Sequence, residues 1–367
     1  MKRQVKIISI VGARPNFMKI APLLHAFDKY PQIKSILVHT GQHYDDKMSG
    51  TFFQSLEIKP PDYNLNVGSL GHGQQTAKIM EAFEPIVTKE KPDLILVVGD
   101  VNSTLACSLV ASKMHIKIAH VEAGGRSFNK EMPEEINRVL TDHISDFLFA
   151  HARQSYKNLL REGLPKKSIF LVGNIMIDCL MMNLPKINGS KILENLNLKK
   201  GSFALMTMHR PSNVDSLENL DKLYSIISKI STKIPILFPI HPRTEKSIKK
   251  NELWEKFENL KDLKIIAPQD YIDFMRLLQN CSFVLTDSGG IQAEAAYFKI
   301  PTFTMRKETE LLETIECGAN KLVGINERKI LESISRLQKN KSHKIEKIPL
   351  NDGLTAQRIA KILAKSF

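Results

Sequence analysis

The sequence predicts an α/β fold of two doubly wound, Rossmann-like domains facing a cleft. Three observations carry this expectation. Short apolar strands alternate with amphipathic helices along the chain, the alternation pauses once near the middle, and nearly every polar cluster falls directly after a strand. Strand–helix alternation implies parallel sheets joined by right-handed crossovers. With 367 residues the chain exceeds one ordinary core, so two domains are the natural division.

The first series of strands is expected at 5–11, 34–40, 94–98, 117–121, 147–150 and 168–172, with helices such as 15–30, 103–114, 133–145 and 152–163 between them. The pause is "LPKINGSKILENLNLKKGS", residues 184–202, which is polar, lysine-rich and glycine-punctuated and reads as a linker. A second series follows, with strands at 203–207, 235–240, 263–267, 282–286, 301–305 and 321–324. The last segment, "DGLTAQRIAKILAKSF", has a capping-type start at Asp352 and apolar residues at helical spacing. The expected domains are therefore 1–172 and 173–351, with the terminal helix 352–367 packing back on the first. Ligands in open α/β sheets bind at the carboxyl ends of the strands, so the polar clusters in both halves point to a cleft between the domains.

The bulk composition excludes several classes. Hydrophobic content of 43% and charged content of 25% are ordinary for a soluble globular protein. The longest apolar runs are strand-sized, such as "LILVV" at 94–98, so no membrane span is expected. The start "MKRQVKIISIVG" reads as a first strand rather than a signal peptide. Cys107, Cys179, Cys281 and Cys317 are widely spaced in apolar surroundings, as buried free thiols of a reducing cytoplasm would be. The net charge of +13 is spread in small lysine groups without a long basic tract. A solvated lysine-rich face accounts for it, an anionic substrate is the alternative, and no nucleic-acid or membrane partner is indicated.

Chemistry-bearing residues follow the strands. Gly12 ends the first, with Arg14, Pro15 and Lys19 behind it, and a helix N-terminus beside cations suits an anion. Neither the dinucleotide G-x-G-x-x-G nor a Walker P-loop occurs. Asp100 follows the strand at 94–98, where it serves a site or caps the next helix. In "AHVEAGGRSFNKEMPEEINRVLTDH", His120 and Glu122 flank a strand end, a glycine pair allows a sharp turn, and Pro133 starts a helix bearing Glu134, Glu135, Arg138 and Asp142. Carboxylates and an arginine gathered at element ends suit acid–base work on an uncharged centre. Glu135, Arg138 and Asp142 read equally well as i,i+3 and i,i+4 surface pairs.

In the second half "MTMHRPSN" ends a strand with His209 and Arg210, and "FPIHPRT" ends another with His241 and Arg243. Such pairs can bind a phosphate or protonate it. None of the 11 histidines forms an H-x-x-x-H or H-E-x-x-H cluster, so no zinc site is expected. Tyr271, near another strand end, offers a ring to a base. In "TDSGGIQAEA", the Ser288-Gly289-Gly290 turn exposes backbone N–H groups at a helix N-terminus, where they and the macrodipole attract a diphosphate. Glu294 lies one turn further, about a ribose-length away, and a carboxylate there accepts sugar hydroxyls.

Taken together, "GARPNFMKIAPL", "TGQHYD", "GDVNSTLA", "HVEAGGRS", "MPEEINRVLTDH", the His209-Arg210 pair and "LTDSGGIQAEA" resemble the non-hydrolysing UDP-N-acetylglucosamine 2-epimerases, in the family's order, from about residue 5 to 325. The resemblance implies a glycosyltransferase-B type fold, a homodimer in the cytoplasm, and inversion of C2 of UDP-GlcNAc to give UDP-ManNAc, a precursor of surface polysaccharide. It also implies elimination and re-addition of UDP through 2-acetamidoglucal, with neither cofactor nor metal. Asp100, Glu122, Glu134 and His209 match the family's catalytic set. Arg14, Lys19, Arg138, Ser288, Gly289, Gly290 and Glu294 match positions that hold UDP or shape the site. Gln42 and His43, with His241, match a regulatory site for a second UDP-GlcNAc. Two departures stand out: Leu311 replaces an arginine that in the family lies near the diphosphate, and Ala293 stands where glutamate is common. The same enzyme on another UDP-2-acetamido sugar, a glycosyltransferase of the same fold, and a non-catalytic UDP-sugar sensor are the alternatives.

Overall fold

The computed structural model describes residues 4–41, 57–339 and 344–367, except the side chain of Arg14. In these residues seven strands, β1 (Val5–Val11), β2 (Ile33–His39), β3 (Tyr63–Asn64), β4 (Leu94–Val98), β5 (Lys117–Ala123), β6 (Phe147–Ala150) and β7 (Ile169–Leu171), form one sheet. Its order is β3-β2-β1-β4-β5-β6-β7, and every pair is parallel. A second sheet joins β8 (Ala204–Thr207), β9 (Ile236–Pro239), β10 (Leu263–Ile266), β11 (Val284–Thr286), β12 (Thr302–Thr304) and β13 (Asn320–Leu322). It too is wholly parallel, in the order β10-β9-β8-β11-β12-β13. Both are Rossmann-like, and the strand order reverses beside β1 and β4 in one sheet and beside β8 and β11 in the other. Crevices for ligands open at such switch points.

The sequence explains the strands simply. All five residues of β4 are buried, as expected of a parallel strand covered on both faces. Each fully buried Leu, Ile or Phe side chain contributes roughly 1.5–3 kcal/mol, so the cores around Ile8, Phe83, Ile95 and Val97 in the first unit and Met206, Phe238, Phe283 and Leu285 in the second hold the two scaffolds. The helix Leu217–Ser231 shows the matching logic. Ser216 caps it by accepting from the Asn219 amide at 3.3 Å, and Leu220, Leu223, Ile227 and Ile230 bury one stripe at a spacing of three to four residues.

The chain divides into two units, Met1–Met182 with Pro349–Phe367, and Asn183–Ile348. The boundary thus falls later than residue 172, inside the helix Ile175–Gly189. The polar stretch expected to be a linker is partly helical, since Ile192–Asn195 adds a further turn. Ile187 and Ile192 are buried and anchor it. Asp352 is not the cap expected for the last helix, Thr355–Ser366. It pairs with Arg358, while Asp178 accepts the Ala356 amide at 2.7 Å and supplies the cap from a distant helix. That terminal helix packs against the helix Arg14–Phe27 of the first unit. Among the described residues no helix is long and apolar enough to cross a membrane, and all four cysteines are buried free thiols.

Candidate active site

In the first unit the site is built at the ends of β1, β4 and β5. Gly12 is required by close approach: a Cβ there would lie 2.2 Å from Ser103 Oγ. Asn16, a residue the sequence reading passed over, ties the turn together. Its Oδ1 accepts the amides of Gly12 and Ala13 at 3.2 and 2.9 Å, and its Nδ2 donates to the Val98 carbonyl at 3.1 Å. The start of the Arg14–Phe27 helix is thereby fixed against the end of β4, which aims Lys19 across that end.

Two carboxylates face two cations there. Lys19 Nζ contacts Glu122 Oε2 at 2.5 Å, and Arg138 Nη1 contacts Asp100 Oδ2 at 2.5 Å. Burial works against the Lys19 charge, but Glu122 and Asp100 outweigh it and raise its pKa. Burial also raises the Asp100 carboxyl above its ordinary value, despite Arg138 and Lys19 pulling it down. Asp100 does not cap the following helix, whose N-cap is Val101. Glu122 sits on a bulge in β5, where the pairing with β6 shifts register, and its φ is +74°. A non-glycine residue held there is strained, and such strain gathers where a side chain must be aimed. Glu134 is half-buried in the first turn of the helix Pro133–His143.

The neighbouring charges brace this group. Glu135 accepts from the Ser127 and Phe128 amides at 3.0 and 2.9 Å and from Arg138 Nη2 at 2.8 Å. Burial alone would raise its carboxyl; these donors hold it below the usual range. Asp142 is fully buried and binds His120 Nδ1 at 2.6 Å, the Gly124 amide at 3.0 Å and Arg126 at 2.7 Å. His120 Nε2 reaches the Gly99 carbonyl at 2.8 Å. Glu135, Arg138 and Asp142 are therefore buried network members, not the surface pairs that sequence spacing allowed. Arg138 spends its guanidinium on Glu135 and Asp100, so it orients a carboxylate first of all.

The second unit carries the other group, at the ends of β8 and β11. Asp287 is fully buried and accepts the amides of His209 at 3.0 Å and Arg210 at 2.8 Å, Asn213 Nδ2 at 3.1 Å and His209 Nδ1 at 3.1 Å. Burial pushes its carboxyl up, yet His209 and these donors outweigh it and keep it low. Arg210 Nε is buried without a partner among the described residues. His241, whose ring centroid lies 5.3 Å from that of His209, accepts the Arg243 amide at 3.1 Å and so caps the helix Pro242–Lys250. Burial lowers its pKa, helped by His209. Ser288 precedes the helix Gly289–Phe298, whose first residues are the glycine pair. Glu294, one turn in, is buried with its carboxyl pushed up to about 8 by burial, and the Tyr271 hydroxyl donates to it at 3.0 Å. Tyr271 thus engages Glu294 through its hydroxyl.

Leu311, at the family's arginine position, is buried, with its carbonyl accepting from Thr314 at 3.0 Å. Gln42 and His43 lie outside the described residues. Among the described residues no group of three or more His, Cys, Asp or Glu side chains is disposed to hold a metal ion.

The model of the UDP-N-acetylglucosamine 2-epimerase family matches residues 25–364. A Methanocaldococcus jannaschii protein named UDP-N-acetylglucosamine 2-epimerase is 43% identical over 98% of this chain and 99% of its own length. A Pseudomonas aeruginosa protein named UDP-2,3-diacetamido-2,3-dideoxy-D-glucuronate 2-epimerase is 41% identical over 98% of this chain and all of its own. The crystal structure of the M. jannaschii UDP-GlcNAc 2-epimerase, in complex with UDP-GlcNAc and UDP, superposes with a TM-score of 0.90 at 43% identity, covering 98% of this chain and 100% of that one.

Proposed function

The chain belongs to the UDP-N-acetylglucosamine 2-epimerase family, and on that premise we propose that it interconverts UDP-GlcNAc and UDP-ManNAc by inverting C2. The observation that carries the mechanism is the pairing of Asp100 and Glu122, two carboxylates at adjacent strand ends, each with its own cation. The C2 proton is not acidic until C1 gains oxocarbenium character, so the diphosphate must be drawn away before or as the proton leaves. The C1–O bond breaks, its electron pair goes to the β-phosphate oxygen, a carboxylate takes the C2 proton, and 2-acetamidoglucal forms. Proton return on the other face, with re-addition of UDP, gives the epimer. Glu122, ion-paired to Lys19, suits proton removal; Asp100, whose carboxyl is raised, suits proton return; Glu134 assists from the helix start. His209, held by Asp287, supports the departing phosphate beside the Ser288–Gly290 turn, and Glu294 takes the ribose hydroxyls.

A homodimer and a regulatory UDP-GlcNAc site at Gln42, His43 and His241 complete the proposal. The cap role of His241 is compatible with such a site, because its Nε2 edge is not used by the cap. The same reaction on another UDP-2-acetamido sugar is a second reading, favoured by the 41% identical relative. Incubation with UDP-GlcNAc in deuterium oxide tests the reading: deuterium at C2 and UDP-ManNAc without any acceptor are expected. A chain that yields neither is not acting as this epimerase.

A further inference from the structure

A carboxylate already stands at the anion-attracting turn of the second unit. The strap Met305–Leu311 is pinned at both ends. Asn213 Nδ2 donates to the Met305 carbonyl at 3.0 Å, and Thr309 Oγ1 donates to Gln292 Oε1 at 2.7 Å while Leu311 is buried. Between these pins Arg306 and Glu310 face each other, with Nη2–Oε2 at 3.0 Å and Nη1–Oε1 at 3.5 Å. Only 8% of the Arg306 side chain and 20% of the Glu310 side chain are exposed.

Gly289 fixes where this pair sits. A Cβ at that residue would come within 2.6 Å of Glu310 Oε1, with Arg306 Nη1 3.9 Å from the same point. The glycine therefore admits the Glu310 carboxylate to the first residue of a ten-residue helix, where the macrodipole favours negative charge. At Gly290 a Cβ would meet nothing within 4 Å, so no described neighbour demands that glycine.

We propose that Arg306 is a cationic partner of the substrate's diphosphate and that Glu310 is its stand-in counter-ion, holding the guanidinium over the Gly289 turn until the diphosphate displaces the carboxylate. This rests on the reading that the Ser288–Gly290 turn receives UDP. The guanidinium fork suits two phosphate oxygens as well as it suits one carboxylate. Glu310 would otherwise repel the incoming anion, so its departure is part of binding, and the strap rather than the helix is the element that gives way.

Calorimetry on the full chain, with UDP and uridine as paired probes, tests this. Arg306→Ala is expected to weaken UDP about tenfold or more, the value of one charge-assisted contact, and to leave uridine unchanged. Glu310→Gln, nearly isosteric, removes the competitor and is expected to tighten UDP about threefold or more, again without effect on uridine; it keeps the test open should Arg306→Ala fail to fold. UDP binding by Arg306→Ala equal to wild type overturns the proposal. So does UDP binding by Glu310→Gln that is equal to wild type or weaker, which marks the pair as a brace. A wild-type chain that binds uridine and UDP equally brings down the underlying reading of the turn, and this inference with it.

Discussion

Replacing Glu294 by Gln separates the cost of a buried carboxylate from its use. In the folded chain this carboxyl titrates at about 8 against an ordinary value near 4.5, chiefly because burial disfavours the charged form. At roughly 1.4 kcal/mol per pH unit, that difference corresponds to on the order of 3–5 kcal/mol once the carboxyl is forced to ionise. The sign follows from proton binding. Between pH 4.5 and 8 the folded state holds a proton that the unfolded state has released, so this group makes stability fall as pH rises through that window. Glutamine mimics the neutral acid and still accepts the Tyr271 hydroxyl bond. Glu294→Gln should therefore match wild type near pH 5 and exceed it by a few kcal/mol at pH 9, measured by urea denaturation at a series of pH values. Sugar hydroxyls donated to the carboxylate favour its charged form. UDP binding by wild type should accordingly release a proton near neutral pH, detectable by calorimetry in buffers of different ionisation enthalpy, and the variant should bind UDP more weakly with no such release. If the two proteins lose stability in parallel between pH 5 and 9, Glu294 is not a desolvated carboxyl and the reasoning fails.

Two further predictions concern backbone and core. Glu122→Gly and Glu122→Ala both remove the carboxylate and its Lys19 pair, so turnover should fall on the order of 10²–10⁴-fold in each. At φ +74°, however, glycine should be the more stable by about 1 kcal/mol, and equal denaturation midpoints would show that the bulge carries no strain. Leu311→Arg is expected to lower the melting temperature without tightening UDP, because its side chain is buried beside a short helix and an inserted guanidinium costs several kcal/mol there; a tenfold gain in UDP affinity would restore the diphosphate role that the sequence suggested.

How much of this was legible in the sequence follows from what each feature depends on. Strands covered on both faces are short apolar runs, so twelve of the thirteen strands among the described residues could be placed within a residue or two. The exception, β3, is only Tyr63–Asn64; it exists because β2 offers an edge, not because its own residues demand a strand. The chemistry was legible for a related reason. Residues at or just beyond the carboxyl end of a strand are released from core packing, so Asp100, Glu122, His209 and Ser288 stood out as polar against apolar neighbours.

Partners supplied from a distance left no such mark. Asn16 reaches Val98, Asp178 caps a helix that begins at Thr355, and Arg138 divides itself between Glu135 and Asp100. Sequence spacing found only the i,i+3 part of the last. Glu122 shows the limit most clearly. In "HVEAGG" the glycine pair signals a sharp turn, and Gly124 does take a φ of +80°, where a Cβ would strike the Ser155 carbonyl oxygen at 2.2 Å. Yet the left-handed conformation begins two residues earlier, on a glutamate that local propensity would never select. A residue that violates the local rule while the surrounding β-bulge, Lys19 and β6 hold it in place is where the fold gives up stability to aim a side chain. The strain at Glu122 thus supports its role independently of any resemblance, through a backbone conformation that no sequence pattern reveals.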